Sequence, residues 1–220
     1  EDEVTEPLSP ATSWDRVVRN FGLELDTSNA RVKRHMDWYI KHPRHLEQVS
    51  DRARRYLHYI ASEVERREIP GELALLPVVE SAFDPFAYSH GRASGVWQFI
   101  PSTGRAYGLH QDWWHDGRRD IRSATNAALD YLEYLAGRFD GDWMLALASY
   151  NSGAGTVRKA IRKNKRKGLD TDFWSLDLPK ETRAYVPKLV AISYLLKNRE
   201  NYDIAWKDVE DAPYFAVVPT

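Results

Sequence analysis

Apolar positions recur at spacings of three and four along most of the chain, and no useful stretch alternates with a period of two. The clearest stripe is Leu46, Val49, Ala53, Leu57, Ile60 and Val64. It predicts one helix from Pro43 to about Glu68, with an Arg- and Glu-rich face in water. Upstream, Thr12 or Ser13 suits the N-cap of a helix through Phe21, and Ser28 that of a second ending before Pro43. Pro70-Gly71 breaks the long helix. The run Glu72–Val79 is nearly all apolar, too short to cross a membrane, and predicts a buried helix that carries Glu80 at its end. Pro77 starts its last turns or kinks it, and Asp84-Pro85 stops it. Residues 84–98 read as a loop, and Pro101 opens a short helix. Ser123 to Phe139 is helical, with Ala128, Leu132, Leu135 and Phe139 as its stripe. Asp142 caps the next helix, which Asn151-Ser152-Gly153 stops after Tyr150. Pro179 to about Asn198 is a long closing helix with Tyr185, Leu189, Ile192 and Leu196 facing inward. Residues 1–12 read as a loose acidic arm and Pro213–Thr220 as an extended tail. The fold class expected is all-α with an irregular central loop.

Composition narrows the function classes. With 43% apolar and 29% charged residues, the 220-residue chain is an ordinary globule of one domain or a compact pair, not a disordered chain. Lys+Arg is 31 against Asp+Glu 32, so there is no global basic field for nucleic acid. With no cysteine there is no disulfide, thiolate metal site or cysteine nucleophile. The seven His are scattered without a paired metal spacing, and Asp116, Asp120, Asp140 and Asp142 lack the calcium-loop pattern, so neither metal nor cofactor is expected. The basic run Arg158–Lys167 reads first as a solvated helix face, and otherwise as an attractor of anionic stem peptides or lipid head groups. The aromatic supply of 8 Trp, 12 Tyr and 7 Phe should mostly fill the core, with some left to line a groove that binds flat sugar faces. The chain opens on Glu1 rather than Met, as a processed or trimmed protein would, and any export signal or lipid-bearing cysteine is expected upstream.

Glu80 is the first candidate for chemistry. At the end of an apolar run, followed by Phe83 and Phe86, its charged form is disfavoured and its pKa should rise, as a general acid requires. Taken alone, the ordinary reading is a surface residue at a helix end. Residues 89–104 interleave small residues with Trp97, Gln98 and Phe99. Gly91 and Gly95 allow close approach of the backbone, and Gln98 offers both a donor and an acceptor. In Ala148-Ser149-Tyr150-Asn151-Ser152-Gly153, Tyr150 and Asn151 are either a packing ring with a cap or a phenol bonded to the acid.

These blocks carry a resemblance. Glu80-Ser81, Gly95-Val96-Trp97-Gln98, Ile100–Gly104 and Ala148–Gly153 resemble, in order and spacing, the motifs of the family 1 lytic transglycosylases, lysozyme-like enzymes that cleave bacterial peptidoglycan. Leu75–Leu109, Glu181–Lys188 and the helical N-terminal extension resemble the membrane-bound lytic murein transglycosylase D branch, over roughly residues 12–206. The resemblance implies a helical extension over 1–69, a lysozyme-like catalytic domain over 70–206 and a tail over 207–220. It implies that Glu80 acts first as acid and then as base, cutting the β-1,4 bond from N-acetylmuramic acid (MurNAc) to N-acetylglucosamine (GlcNAc). The muramic C6 hydroxyl, not water, closes on C1 to leave a 1,6-anhydro end, and the substrate acetamide replaces the second carboxylate of ordinary glycosidases. Ser89 matches a position near the cleavage point, and Gln98 a sugar-contacting amide. Tyr150 matches the ring that holds the Glu and the substrate, Asn151 an orienting or capping residue, and Tyr185 an aromatic bordering the groove. Ser81 reads as structural, bonding within its helix. Position 97 is Trp where many relatives have Met, a change that would reshape a subsite. Asp84 reads as a turn residue; facing the sugar instead, it would make a goose-lysozyme-like hydrolase credible. A non-catalytic glycan-binding scaffold is the third reading. The partners implied are glycan strands, with the protein a monomer. It would sit in the periplasm, held at the outer membrane only through segments outside this chain.

Overall fold

The computed structural model describes residues 11–204 and 206–216. Among these, ten α-helices and four short 3-10 segments account for the regular structure, with no strand, as the all-α reading expected. Thr12 and Asp15 start α1 (Ser13–Arg19) as a capping box. The Asp15 amide donates to Thr12 Oγ1 at 3.1 Å, and the Thr12 amide to Asp15 Oδ2 at 3.0 Å. The helix ends at Arg19 rather than Phe21. It is clasped to the far end of the chain: the Ser13 amide donates to the Val209 carbonyl at 2.8 Å, and Trp14 Nε1 to that of Lys207 at 3.0 Å. Arg16 pairs with Asp211 at 2.7 Å, and His58 Nδ1 lies 3.0 Å from the same carboxylate.

Asn29, not Ser28, caps α2 (Ala30–Lys41), with its side chain accepting from the Arg31 amide. The single helix expected over 43–68 is two. Helix α3 (Pro43–Ala53) and helix α4 (Leu57–Arg66) are separated by a turn at 54–56. The apolar stripe runs through that turn without changing phase. Leu46, Val49, Ala53, Leu57, Ile60 and Val64 are all buried, so burial is the same whether or not the backbone is interrupted. Arg67 then ties the end of α4 to α7 (Ile121–Gly137) through Asp130 and Glu133, both at 2.6 Å.

The buried segment 71–81 is also divided. Gly71–Leu75 is a 3-10 turn, and α5 (Leu76–Ser81) starts with Pro77 in its first turn, where no amide is needed. Gly71 allows the close approach: a Cβ there would stand 2.3 Å from the Val17 carbonyl oxygen. The stop is earlier than Asp84-Pro85. Ala82 (φ 51°) and Phe83 (φ 57°) both take left-handed backbone, and the buried Phe83 ring anchors the reversal. Asp84 then accepts from the Phe86 amide at 2.9 Å, the turn role expected of it, while Phe86 is exposed rather than shielding Glu80.

Helix α6 (Pro101–Ala106) follows the loop. Helix α7 is capped by Asp120 and begins at Ile121, two residues before its expected start, and α8 (Trp143–Ser152) is capped by Asp142 as expected. Helix α9 (Ala154–Arg166) carries the basic run on its wet side and buries Val157, Ala160 and Asn164. Helix α10 (Lys180–Lys197) is the axis of the molecule. It packs against α2 on one side and α8 on another, with Tyr185, Leu189, Ile192 and Leu196 buried. One apolar cluster runs from Trp14 to Val209, joining the N-terminal helices to the later ones. Residues 1–10 of the acidic arm and 217–220 of the tail lie outside the described residues.

Candidate active site

The end of α5, the loop 84–100, the C-terminal turn of α8 and the first two turns of α10 surround a cavity of about 730 Å³. Glu80 stands in its wall on the last turn of α5, half-buried. Burial pushes its carboxyl up to about 7. The Tyr185 hydroxyl and Lys188 pull it down and the charge of Glu181 pushes it up, without outweighing burial. Its place at a helix C-terminus also disfavours the anion.

Tyr185 Oη donates to Glu80 Oε1 at 2.5 Å. The family motifs gave that task to Tyr150, and the geometry divides the two rings differently. Tyr150 Oη donates to the Trp97 carbonyl at 2.9 Å, so it buttresses the loop and borders the cavity without bonding the acid. The two tyrosines exchange roles because α10 delivers its inward face straight onto α5, while α8 faces the loop.

Ser89 and Gln98 both line the cavity. Ser89 Oγ accepts from the Ala93 amide at 3.0 Å. Gln98 takes left-handed backbone (φ 50°), and its amide nitrogen donates to the Gly95 and Ala87 carbonyls at 2.8 and 3.2 Å. Its amide oxygen has no partner among the described residues and is available to a donor. The loop is held from below. Arg118 donates to the Arg92 carbonyl at 2.7 Å and to that of Phe99 at 3.0 Å, while pairing with Asp116 at 2.7 Å. Gly95 (φ +80°) passes so close that a Cβ would meet the Arg118 carbonyl oxygen at 2.1 Å. Trp97 points the other way. Its ring is fully buried, with Nε1 donating to Thr125 Oγ1 at 2.9 Å, so it supports the loop and borders no subsite. Ser81 is structural as expected, donating to the Pro77 and Val96 carbonyls.

Asn151 orients the rim. Its Oδ1 accepts from Thr182 at 2.8 Å and its Nδ2 donates to Glu181 at 3.3 Å, joining the end of α8 to the start of α10. Glu181 and Lys188 also line the cavity; the sequence places them in the family-like block 181–188 but singles out only Tyr185 there as a site residue. The signal was present: positions 181, 185 and 188 lie four and three apart, on one face of a helix. No group of three or more His, Asp or Glu among the described residues is arranged to hold a metal ion.

The sequence model of the family described as "Transglycosylase SLT domain" matches residues 58–173. The chain belongs to the SLT transglycosylase family. It is 48% identical over 190 residues to membrane-bound lytic murein transglycosylase D of Escherichia coli (strain K12), a match covering 86% of this chain and 42% of that protein. The chain thus spans less than half the length of that relative. It is also 40% identical over 170 residues to a protein named for tributyltin chloride resistance from Alteromonas sp. (strain M-1), covering 77% of this chain and 80% of that one. A solved structure of an inactive mutant of lytic transglycosylase Slt from Pseudomonas aeruginosa aligns over 90% of this SLT chain and 35% of its own, with TM-score 0.49 and 22% identity. In SLT family terms, the matched region holds Glu80, Ser89, Gln98, Tyr150 and Asn151, while Tyr185 lies beyond it.

Proposed function

We propose that this chain is a peptidoglycan lytic transglycosylase of lysozyme-like fold that cleaves the MurNAc-β-1,4-GlcNAc bond without water. The observation that carries the reading is Glu80: a carboxyl with a pKa of about 7, half-buried in a groove and oriented by a phenol. Near neutral pH a large fraction of it holds a proton to give. Glu80 donates that proton to the glycosidic oxygen as the C1–O bond breaks. The resulting carboxylate then takes the proton of the C6 hydroxyl as that oxygen bonds to C1. The 1,6-anhydro ring closes, GlcNAc leaves with a free 4-hydroxyl, and the enzyme returns to its starting protonation. Tyr185 holds the carboxyl in place for both transfers. Ser89, Gln98, Tyr150 and Asn151 shape the groove that receives the sugars.

The substrate class and the periplasmic location, close to the outer membrane, draw support from relatives named as membrane-bound murein transglycosylases. The protein acts as a monomer in this reading, since one chain supplies every group named. Digestion of purified sacculi followed by mass spectrometry tests it: products one water lighter than those of lysozyme are expected. A goose-lysozyme-like hydrolase has one observation in its favour, the exposed Glu181 carboxylate in the same cavity. Hydrolysis would give reducing ends in the same spectra and displace the first reading.

A further inference from the structure

The cavity at Glu80 does not end at α5. A second depression of about 420 Å³ meets it along Val79 and Lys188, which wall both. It runs out beneath α2 and α3 to Trp38, and a third, of about 460 Å³, continues from the other side of Trp38 and His45. Trp38 is 44% exposed on a helix whose apolar residues Val32, Met36 and Tyr39 face the core. Three rings hold its indole. His42 stacks on it at 4.4 Å and 20°, Tyr39 meets it edge-on at 5.3 Å, and His45 does so at 5.2 Å. His42 Nδ1 is fixed in turn, 2.7 Å from the Trp38 carbonyl. An exposed indole that is already ordered loses little entropy when a ligand arrives.

The chemistry of the lining selects the ligand. The two outer depressions combine aromatic surface with imidazoles, and no carboxylate lines either of them. Burial and the neighbouring Lys188 and Arg34 hold His35 below its ordinary pKa, so near neutral pH it is a neutral hydrogen-bonding group. Lys188, Lys41 and Arg44 supply positive charge along the path. Flat apolar faces with hydroxyls at their edges, on a polymer bearing acidic peptides, match that surface. These residues lie on α2, on α3, along the second half of α5 and on α10, and the aromatic ones all come from α2, α3 and the junction between them. Trp38 and its rings therefore stand outside the 58–173 region that the SLT family shares.

We propose that the N-terminal helices extend the catalytic groove, and that Trp38 is the stacking platform for a further sugar of the strand being cleaved. This rests on the glycan-strand reading above. The test uses Glu80→Gln protein, so that no ligand is consumed, and calorimetric titration with chitin oligomers of three to eight sugars. Affinity should rise with length. Trp38→Ala should remove that rise and weaken the longest oligomer about tenfold, the scale of one good aromatic contact. Binding of the trimer should not change, which also shows that the variant is folded, and Trp38→Tyr should restore most of the rise. An unchanged length dependence in Trp38→Ala overturns the platform and leaves the catalytic reading untouched. Failure of every oligomer to bind overturns both the platform and the saccharide reading. The sacculus products report on the chemistry separately.

Discussion

Glu72 and Glu80 sit eight residues apart on one buried segment, and burial raises the pKa of both. Their surroundings give them opposite uses. Glu72 is fully buried, and its carboxylate accepts from the backbone amides of Gly22 and Leu23, both at 3.0 Å. Those donors favour the anion and turn the side chain into a fastener between the end of α1 and the segment that leads to α5. Glu80 has one phenol, a cation and an anion for neighbours, and an open cavity in front of it. Burial alone therefore does not make an acid. What matters is whether the groups facing the carboxyl can give a hydrogen bond to its charged form, and whether a substrate can reach it.

The contrast can be broken most sharply at Glu80. Glu80→Gln should lower turnover on sacculi by about 10²–10⁴-fold, the range of a general acid–base group. Its helical circular dichroism should be unchanged. Full turnover by the variant would end the proposed mechanism. Glu72→Gln should do the reverse. An amide places an N–H against one of two backbone N–H groups, costing about 1–3 kcal/mol of stability for the unmet donor. Denaturant unfolding should show that loss, while activity per folded molecule stays close to wild type.

The pH dependence sharpens the comparison further. The folded pKa of Glu80, about 7, lies above its ordinary value of 4.5, so between those limits the native state binds more protons than the unfolded one. The contribution is fully present below about pH 4.5 and is lost as pH rises through 7. At about 1.4 kcal/mol per pH unit, the loss reaches at most ~3.5 kcal/mol. Glu80→Gln should therefore melt higher than wild type at pH 8, with the difference vanishing near pH 4. Activity should also fall on the alkaline side as the acid loses its proton. Tyr185→Phe should have the smallest effect on that limb. The phenol holds the pKa down, so its removal should move the limb to higher pH, and a shift to lower pH would contradict the assigned hydrogen bond.

Much of this was legible in the chain, and the omissions have physical causes. The inward face of α10 and the caps Thr12 and Asp142 follow from spacing and side-chain chemistry. The break at 54–56 was hidden because Arg54-Arg55-Tyr56 contains no Gly or Pro and the apolar stripe passes through in phase. The end of α5 was misplaced by three residues because Ala82 and Phe83 hold a conformation that their side chains do not advertise, imposed by burial of the Phe83 ring. The division of labour between Tyr150 and Tyr185 was beyond reach, since Tyr185 and Glu80 are 105 residues apart and only helix packing decides which ring arrives. The groove past Val79 was hidden for a related reason. Trp38 follows the pattern of an amphipathic helix, and nothing local says that its exposed edge continues a cavity walled by α5 and α10.

The clasp on α1 also bears on how the chain can be rewired. Thr12 and Glu210 pair through their backbones, and Arg16 and His58 both grip Asp211, so residues 12 and 210 stand side by side. A short linker joining Ala11 directly to Ala212, with new termini opened at the solvent-exposed turn of Gly141, should give a circular permutant of the described region that folds and keeps its groove. Deleting residues from 207 onward removes the clasp, and should loosen α1 first and then the Gly22–Leu23 turn that Glu72 holds.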